Sequence, residues 1–532
     1  MSVNSTVDNL VARHPTTVNT SSPEYKKNQE EWEGLIQQLE ERLHDATNQG
    51  KESSLKLHRS HGQLTARERV TLLLDEDSPF LELCALAGFE QEDMTLGGSN
   101  VDGIGLVSGV LCMVSAAVPT LFGGAANEAT VLKLDRIQEI AMKNRLPTIT
   151  LNQSPGANLT QQFRVFHKGG GAFRNQALQS KAQIPSCCVV FGSSAAGGAY
   201  QPGMSDYVIM VRKQAQMYLG GPALVKMATG EITDSESLGG ADMHSRISGT
   251  TDQLAYDEYD AIRKAREWMA NLNWKPKGKL PLQEILGIVS ADIRIPFDAI
   301  EVIIRFVDGS RFTTFKPNYG RNLVCGWGFI QGIPVGIIAN NNVMFTQEAN
   351  KATQFIQLCN IKNTPLIYLQ NITGFMVGKQ YEEEGIIKAG SRFVNAVSNS
   401  GVPAITIMMG ASYGAGNYAM CGRAYVPRFL FSWPNSRCSV MGAEQLAGVL
   451  DIVMRQGAKR AGIEVDEEDA AQRKALFQAS VEAESNVYYT SARFLDDGII
   501  DPRETRQVIG FCLSAIYSNE VNGGNIYGVS RM

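Results

Sequence analysis

The chain has 532 residues, too many for one ordinary core, and a prior of roughly 150 residues per domain divides it into two to four units. With 44% hydrophobic and 19% charged residues it has the composition of a soluble globular protein. A net charge of −5 with no dense Lys/Arg block excludes a surface built to follow nucleic acid, and no run approaches the ~20 apolar residues of a membrane helix.

Residues 1–27 read as a polar, Ser/Thr-rich tail. The tail lacks the apolar centre of a secretory signal, and with one arginine and one aspartate it makes a poor transit peptide. The expected setting is the bacterial cytoplasm, with the mitochondrial matrix as runner-up. The nine cysteines form no C-x-x-C pair, so no zinc ribbon and no metal site is expected. Their irregular spacing reads as buried thiols in a reducing compartment.

Residues 28–48 are charged and helical in pattern, and Thr65 with Glu68 spells a capping box ahead of an apolar face. Both read as scaffold. An amphipathic helix is predicted near residues 130–143, and Pro147 then precedes a short apolar strand, Thr148 to Leu151. Strands alternating with helices of this length predict an α/β fold made of βαβ units.

The segment 184–200 (IPSCCVVFGSSAAGGAY) predicts an apolar strand ending in a small-residue turn that opens a helix. It has a counterpart at 402–418 (VPAITIMMGASYGAGNY). Pro185 with Pro403, Gly192 with Gly410, Ser194 with Ser412 and Tyr200 with Tyr418 are all separated by one and the same interval. Pro147 with Pro365 and Lys133 with Lys351 share that offset, and a second amphipathic helix is predicted at 347–360. The chain therefore reads as an internal duplication. Its predicted halves are residues 28–280 and 281–532, with the seam at the basic, Pro- and Gly-containing stretch from Trp274 to Pro281.

Small residues at a strand–helix turn let backbone N–H groups approach a ligand, and the helix start adds unpaired donors with partial positive charge. An oxyanion or a phosphate suits such a turn, although close packing alone also explains a single copy. The turns match neither G-x-x-x-x-G-K-[ST] nor G-x-G-x-x-G. Gly410 to Gly414 does match the G-x-S-x-G nucleophile elbow, but no histidine follows His244 to serve as its base. Ala141 to Asn144 comes within one residue of the A-M-K-M biotin-attachment motif, yet Lys143 ends a helical pattern and reads as a solvated terminus. With no histidine in the second half, base catalysis there falls to a carboxylate, a cofactor or the substrate. Paired backbone donors holding an enolate fit that poverty of side-chain bases.

From about residue 28 onward the chain resembles the β (carboxyltransferase) subunits of acyl-CoA carboxylases. The matching stretches are 66–69 (ARER) with 73–75 (LLD), 196–199 (AGGA), 219–222 (LGGP) and 501–506 (DPRETR). Stretches 370–378 (QNITGFMVG), 412–418 (SYGAGNY) and 421–425 (CGRAY) are closer still to the 3-methylcrotonyl-CoA branch. The resemblance implies two tandem crotonase-like (ClpP/crotonase superfamily) ββα-superhelix domains. The active site would lie where the first domain of one subunit faces the second domain of another in a β hexamer.

Carried onto this sequence, Gly197 and Gly198 would donate N–H groups to the thioester oxygen of the CoA substrate. Ala415 and Gly416 would hold the ureido oxygen of biotin, with Thr373, Gly374, Phe375, Tyr413 and Gly414 around them. Carboxybiotin would release CO2, and the biotin anion would take a γ proton from a 3-methyl-2-enoyl thioester, whose dienolate captures CO2. Biotin, and the ATP used to load it, would belong to a partner α subunit, since the chain carries neither a biotin site nor an ATP signature.

Two departures bear on the substrate. The stretch 153–157 (QSPGA) stands where the branch looks like D-S-G-G-A, and 168–173 (KGGGAF) where it looks like H-F-G-R-I-F. Ser154, Gly156, Ala157, Gly169, Gly170, Gly171, Ala172 and Phe173 are accordingly assigned to the acyl-CoA side. If 168–173 is a loop walling the acyl pocket, small residues there lengthen it. That predicts geranyl-CoA as preferred substrate, with 3-methylcrotonyl-CoA as the alternative. Rival classes are a crotonase-superfamily hydratase or hydrolase and a non-catalytic scaffold.

Overall fold

A computed structural model describes residues 18–272, 290–293, 297–341 and 343–524, together with Thr16, Trp274 and Ile295. Of the sequence-assigned seam only Trp274 lies within the described residues, and most of the 1–27 tail also lies outside them.

Two mixed sheets follow one another along the chain. In the first, Leu81–Glu82 (β1), Asn100–Val107 (β2) and Val110–Ala117 (β3) run antiparallel. Thr148–Asn152 (β4), Ser186–Val190 (β5), Tyr207–Val211 (β7) and Gln253–Ala255 (β9) then continue in parallel, in the order β1-β2-β3-β4-β5-β7-β9. Ser193–Ala195 (β6) and Gln216–Tyr218 (β8) make a small, separate parallel pair. In the second, Phe312–Thr314 (β10), Leu323–Ile330 (β11) and Ile333–Asn340 (β12) are antiparallel. Leu366–Ile372 (β13), Ala404–Tyr413 (β14) and Phe429–Ser432 (β15) add in parallel, and Arg437–Ser439 (β16) pairs with the far end of β14. Strands β5 and β14 are buried almost end to end because both faces are covered, so apolar–polar alternation has no purpose there.

The duplication extends to single interactions. Helices Glu128–Lys143 and Thr346–Ile361 begin and end at the interval that separates the paired prolines, as do the starts of β4 and β13 and of β5 and β14. Lys133 is fully buried and donates to the carbonyls of Gly97 (3.1 Å) and Asn100 (2.8 Å). Lys351 donates to those of Gly320 (3.3 Å) and Leu323 (2.7 Å), so each ammonium ties the entry of the first long strand of its sheet. The first also meets Asp102 at 3.3 Å, whereas burial without a carboxylate at that distance lowers the pKa of Lys351.

The Pro23–Ala46 helix starts at the Ser22 cap, earlier than residue 28, and buries Trp32, Ile36 and Leu39. Trp32 meets Trp433 of the second half edge-on, with ring centroids 5.9 Å apart. The Thr65–Glu68 capping box is present, and Arg69 behind it is fully buried against Glu258.

A buried ion cluster joins the halves. Arg136, on the Glu128–Lys143 helix, donates from Nε and Nη2 to both carboxylate oxygens of Asp497 at 2.7 Å. Arg423 reaches the same carboxylate at 2.8 Å, and the Leu430 N–H donates to it at 2.8 Å. Burial raises the pKa of Asp497, but the two guanidinium groups reverse this and hold it below the usual carboxylate range. Its neighbour Asp496 accepts from the hydroxyls of Ser432 (2.6 Å) and Ser491 (2.7 Å), and burial lifts its pKa to about 6. Arg428 completes the seam by donating to the Lys143 carbonyl at 2.6 Å and to Asn144 Oδ1 at 2.9 Å.

Removing Arg136 leaves Asp497 with less counter-charge in a dry site. Arg136→Met should therefore destabilise the chain by about 3–5 kcal/mol in urea unfolding. Asp496 works in the opposite sense, because its proton is held more tightly folded than unfolded. Its contribution is full below an ordinary carboxylate pKa of about 4 and is lost as pH rises through about 6. Asp496→Asn should gain stability relative to the parent as pH climbs through that window and keep the gain above it, read as the difference in melting temperature.

Candidate active site

Each half carries a small-residue turn beyond the carboxyl ends of its parallel strands, where open α/β sheets leave room for ligands. In the first half β6 leads through Ala196 into the Gly197–Gly203 helix. In the second half β14 leads straight into the Gly414–Ala419 helix. Gly197 and Gly198 open one helix, and Gly414, Ala415 and Gly416 open the other, so their N–H groups have no acceptor within the helix.

The backbone before these donors turns through the left-handed region, with Ala196 at φ 51° and its counterpart Gly414 at φ 57°. Glycine takes that conformation freely, whereas the alanine is strained, a state found where surrounding structure holds a functional loop. The Ser154–Gly156 loop closes on the first turn so tightly that a Cβ on Gly198 would run into the Ser154 carbonyl oxygen. A Cβ on Gly156 would lie 3.1 Å from the Ala195 carbonyl oxygen. At the matching place in the second half, a Cβ on Gly416 would lie 2.9 Å from Ile372 and 3.3 Å from the Gly374 Cα. Ala126 bridges to Ala157 and Met344 to Phe375, once more at the common offset, and these bridges anchor the two loops.

The sequence-assigned residues are thus partly brought together. Ser154, Gly156, Gly197 and Gly198 form one cluster, and Phe173 joins it, its ring tip 3.4 Å from where a Gly197 Cβ would stand. Tyr200, 5.7 Å from Phe173 between ring centroids, extends this wall. Gly374, Gly414, Ala415 and Gly416 form the second cluster. Tyr413 is the residue that enters its helix, Phe375 packs against Gly390, and Thr373 is exposed.

The expectation of a loop at 168–173 is corrected. Gly169, Gly170, Gly171, Ala172 and Phe173 lie inside one continuous helix, Gln162–Lys181. Three glycines cost a helix about 1 kcal/mol each relative to alanine, yet buried Val165, Gln176 and Gln179 anchor both ends. Successive helical residues point about 100° apart, so three glycines bare most of one turn. A Cβ on Gly169 or Gly170 would meet nothing within 4 Å, and one on Gly171 would meet only Asp135, at 3.7 Å.

Gln153 and the nucleophile elbow are also resolved. Gln153 accepts from Arg69 Nη1 at 3.0 Å and packs against Gly192, as Asn371 packs against Gly410. Ser412 is fully buried and donates to Gln370 Oε1 at 2.5 Å, so it is no exposed nucleophile. Lys143 ends its helix paired with Glu139 at 2.7 Å.

Sequence reasoning missed the polar side chains beneath each turn. Asn152 Nδ2 donates to Ser194 Oγ and to the Gly198 carbonyl, both at 3.0 Å. In the second half Gln370 Nε2 donates to the Met420 carbonyl at 2.7 Å, and Asn417 Nδ2 donates to Ser412 Oγ at 2.8 Å. The signal was present, because Asn152 and Gln370 are both amides and stand at the common offset.

The two turns differ in how a side chain could be absorbed. Gly198→Ala collides with backbone and should cost roughly 1–3 kcal/mol, while Gly416→Ala meets the movable end of Ile372 and should cost less. Thermal unfolding of both variants checks the order.

Among the described residues no helix is long and apolar enough to cross a membrane, and no cluster of His, Cys, Asp and Glu could hold a metal ion. Residues 57–525 match the family described as the carboxyl transferase domain. The chain is 50% identical over 527 residues to a probable biotin-dependent acyl-coenzyme A carboxylase beta2 subunit of Mycobacterium tuberculosis, covering 97% of this chain and 99% of that one. It is 47% identical to the biotin-dependent 3-methylcrotonyl-coenzyme A carboxylase beta1 subunit of the same organism, covering 94% and 97%. The crystal structure of the P. aeruginosa geranyl-CoA carboxylase beta subunit superposes with a TM-score of 0.88 at 39% identity, covering 98% of this chain and all of that one. Two duplicated crotonase-like sheets agree with these likenesses, and the chain belongs to the carboxyl transferase family as the carboxyltransferase β component of a biotin-dependent acyl-CoA carboxylase.

Proposed function

We propose that the chain carboxylates the γ carbon of a 3-methyl-branched 2-enoyl-CoA, with geranyl-CoA preferred. The observation that carries the chemistry is the repeated turn with unpaired N–H groups. Gly197 and Gly198 hold the thioester oxygen as it gains enolate charge, and one such donor is worth roughly 2.7–4 kcal/mol in other enzymes. Ser154, Gly156 and Ala157 shape the floor of that site.

Ala415 and Gly416 hold a ureido oxygen in the second half. The fit to biotin rests on the donor set: backbone N–H groups for a neutral carbonyl, flanked by Phe375, Tyr413 and Ile372 for an apolar bicycle. When bound through its partner subunit, biotin supplies the carboxyl group and then the base. This chain's task is to orient both groups and exclude water, which accords with a second half that holds no histidine.

The partner is a biotin-carrying α subunit, and the working assembly is a β hexamer in which the first half of one copy meets the second half of another. Support comes from apolar faces on helices that follow each turn. Leu224 and Met227 stand exposed on the Pro222–Thr229 helix, and Val449, Ile452 and Val453 on the Ala443–Ala461 helix. These faces need a partner. Nine free thiols support a reducing, cytoplasmic setting.

The acyl-chain preference rests on the bare turn of helix at Gly169–Gly171, beside the Phe173 wall. Five further carbons laid along it are worth roughly 4 kcal/mol at ~0.8 per methylene-sized group. The identity figures favour a second reading, 3-methylcrotonyl-CoA, at 47% against 39%.

The test is label fixed from bicarbonate with the biotin subunit, ATP and each thioester in parallel. Preferential labelling of geranyl-CoA is expected, and Gly169→Phe should depress that activity at least tenfold while sparing 3-methylcrotonyl-CoA. Labelling confined to 3-methylcrotonyl-CoA, or equal loss on both substrates, overturns the chain-length reading. No label in either overturns the γ-carboxylation reading.

A further inference from the structure

We infer that the buried amide and hydroxyl groups beneath the two glycine turns are positioning residues, each set serving one half of the reaction. The inference rests on the roles assigned above to the two turns.

In the first half Asn152 sits at the end of β4 and Ser194 in β6, both buried. One amide nitrogen spans from the Ser194 hydroxyl to the Gly198 carbonyl. It therefore fixes the peptide that follows Gly198, and with it the attitude of the two donors just upstream. The helix itself offers that carbonyl no i+4 donor, because Pro202 stands there without an N–H. The strained Ala196 next to these donors needs such a restraint to persist.

The second half solves the same problem with a longer relay. The Gln370 amide holds the Met420 carbonyl just beyond the helix, and its oxygen accepts from the Ser412 hydroxyl. Ser412 in turn accepts from Asn417, which lies within the helix that opens with Gly414. Strand, turn and helix are thereby locked into one unit. The extra amide has a reason, since Gly414 relaxes freely where Ala196 is sterically confined. Every polar atom of the Gln370 amide and the Ser412 hydroxyl is used, and satisfied buried networks of this kind specify one arrangement.

A purely structural role would weaken all activities together, whereas a positioning role separates them. Two rates are measured on the full chain with its biotin-loaded partner. One is carboxyl transfer to acyl-CoA, and the other is release of CO2 from the loaded partner without acyl-CoA. Asn152→Leu and Ser194→Ala should lower kcat for transfer about tenfold, a fraction of the roughly 10²–10³ lost when a donor is removed outright. Their KM for acyl-CoA and their CO2 release should stay within twofold of the parent, and Ser194→Thr, which keeps the oxygen, should restore transfer. Gln370→Leu and Ser412→Ala should lower both rates with KM for acyl-CoA within twofold of the parent, and Ser412→Thr, which keeps the relay oxygen, should restore both. A loss the threonine does not restore, or one shared equally with KM, overturns the second-half assignment.

If Asn152→Leu does not fold, Ser194→Ala with its threonine rescue decides the first half alone. Equal loss of both rates in the first-half variants, or no loss in any variant, overturns the inference while a working parent leaves the turn assignments standing. A parent that transfers to no acyl-CoA removes the functional reading and this inference with it.

Discussion

Two guanidinium groups and a backbone N–H converge on the fully buried carboxylate of Asp497. Arg136 comes from the first half, Arg423 and the Leu430 N–H from the second. A lone carboxylate in that place would cost several kcal/mol, so the pair is an obligation that each half meets for the other. Its geometric consequence concerns the Glu128–Lys143 helix, which begins just after the bridge that anchors the first turn's loop. That helix is pinned to the strands of the second sheet. The apolar packing around Trp32 and Trp433 adds stability, but it lacks the direction that a bidentate ion pair imposes.

The duplication repeats physical tasks more faithfully than residues. Each sheet needs a cation to tie its entry, and a lysine does this in both, one with a carboxylate at 3.3 Å and the other with none in ion-pair contact among the described residues. Each turn needs a left-handed residue, which is alanine in one half and glycine in the other. Each turn needs an amide beneath it, which is Asn152 or Gln370. The differences then adjust one to another. The rigid alanine turn stands on a two-contact support, and the freer glycine turn on a relay of three side chains. Backbone N–H groups open both helices, and the side chains near the turns set shape and rigidity.

Much of this was legible because the local signals agree with the global fold. The capping box at Thr65, the two amphipathic helices and the apolar strand after Pro147 all appear as read, since periodicity and caps are local properties. The stretch around Gly169–Gly171 misled the reading for a physical reason. Three glycines oppose a helix locally by about 3 kcal/mol in sum, and only anchoring by Val165, Gln176 and Gln179 outweighs that. The start of the first helix likewise moved to Ser22, whose cap is clear once the chain is seen to turn there.

The sequence alone determined the α/β class, the repeat at one constant offset and the pair of strand–turn–helix sites, because a regular interval between small residues survives without knowledge of packing. Only the tertiary structure decided that Gln153 answers to Arg69, that Ser412 is sealed beneath its turn, and that Arg136 and Asp497, far apart in the chain, hold the halves together. Burial makes those contacts strong, and burial is set by which elements stack on one another, a fact that no spacing along the chain encodes.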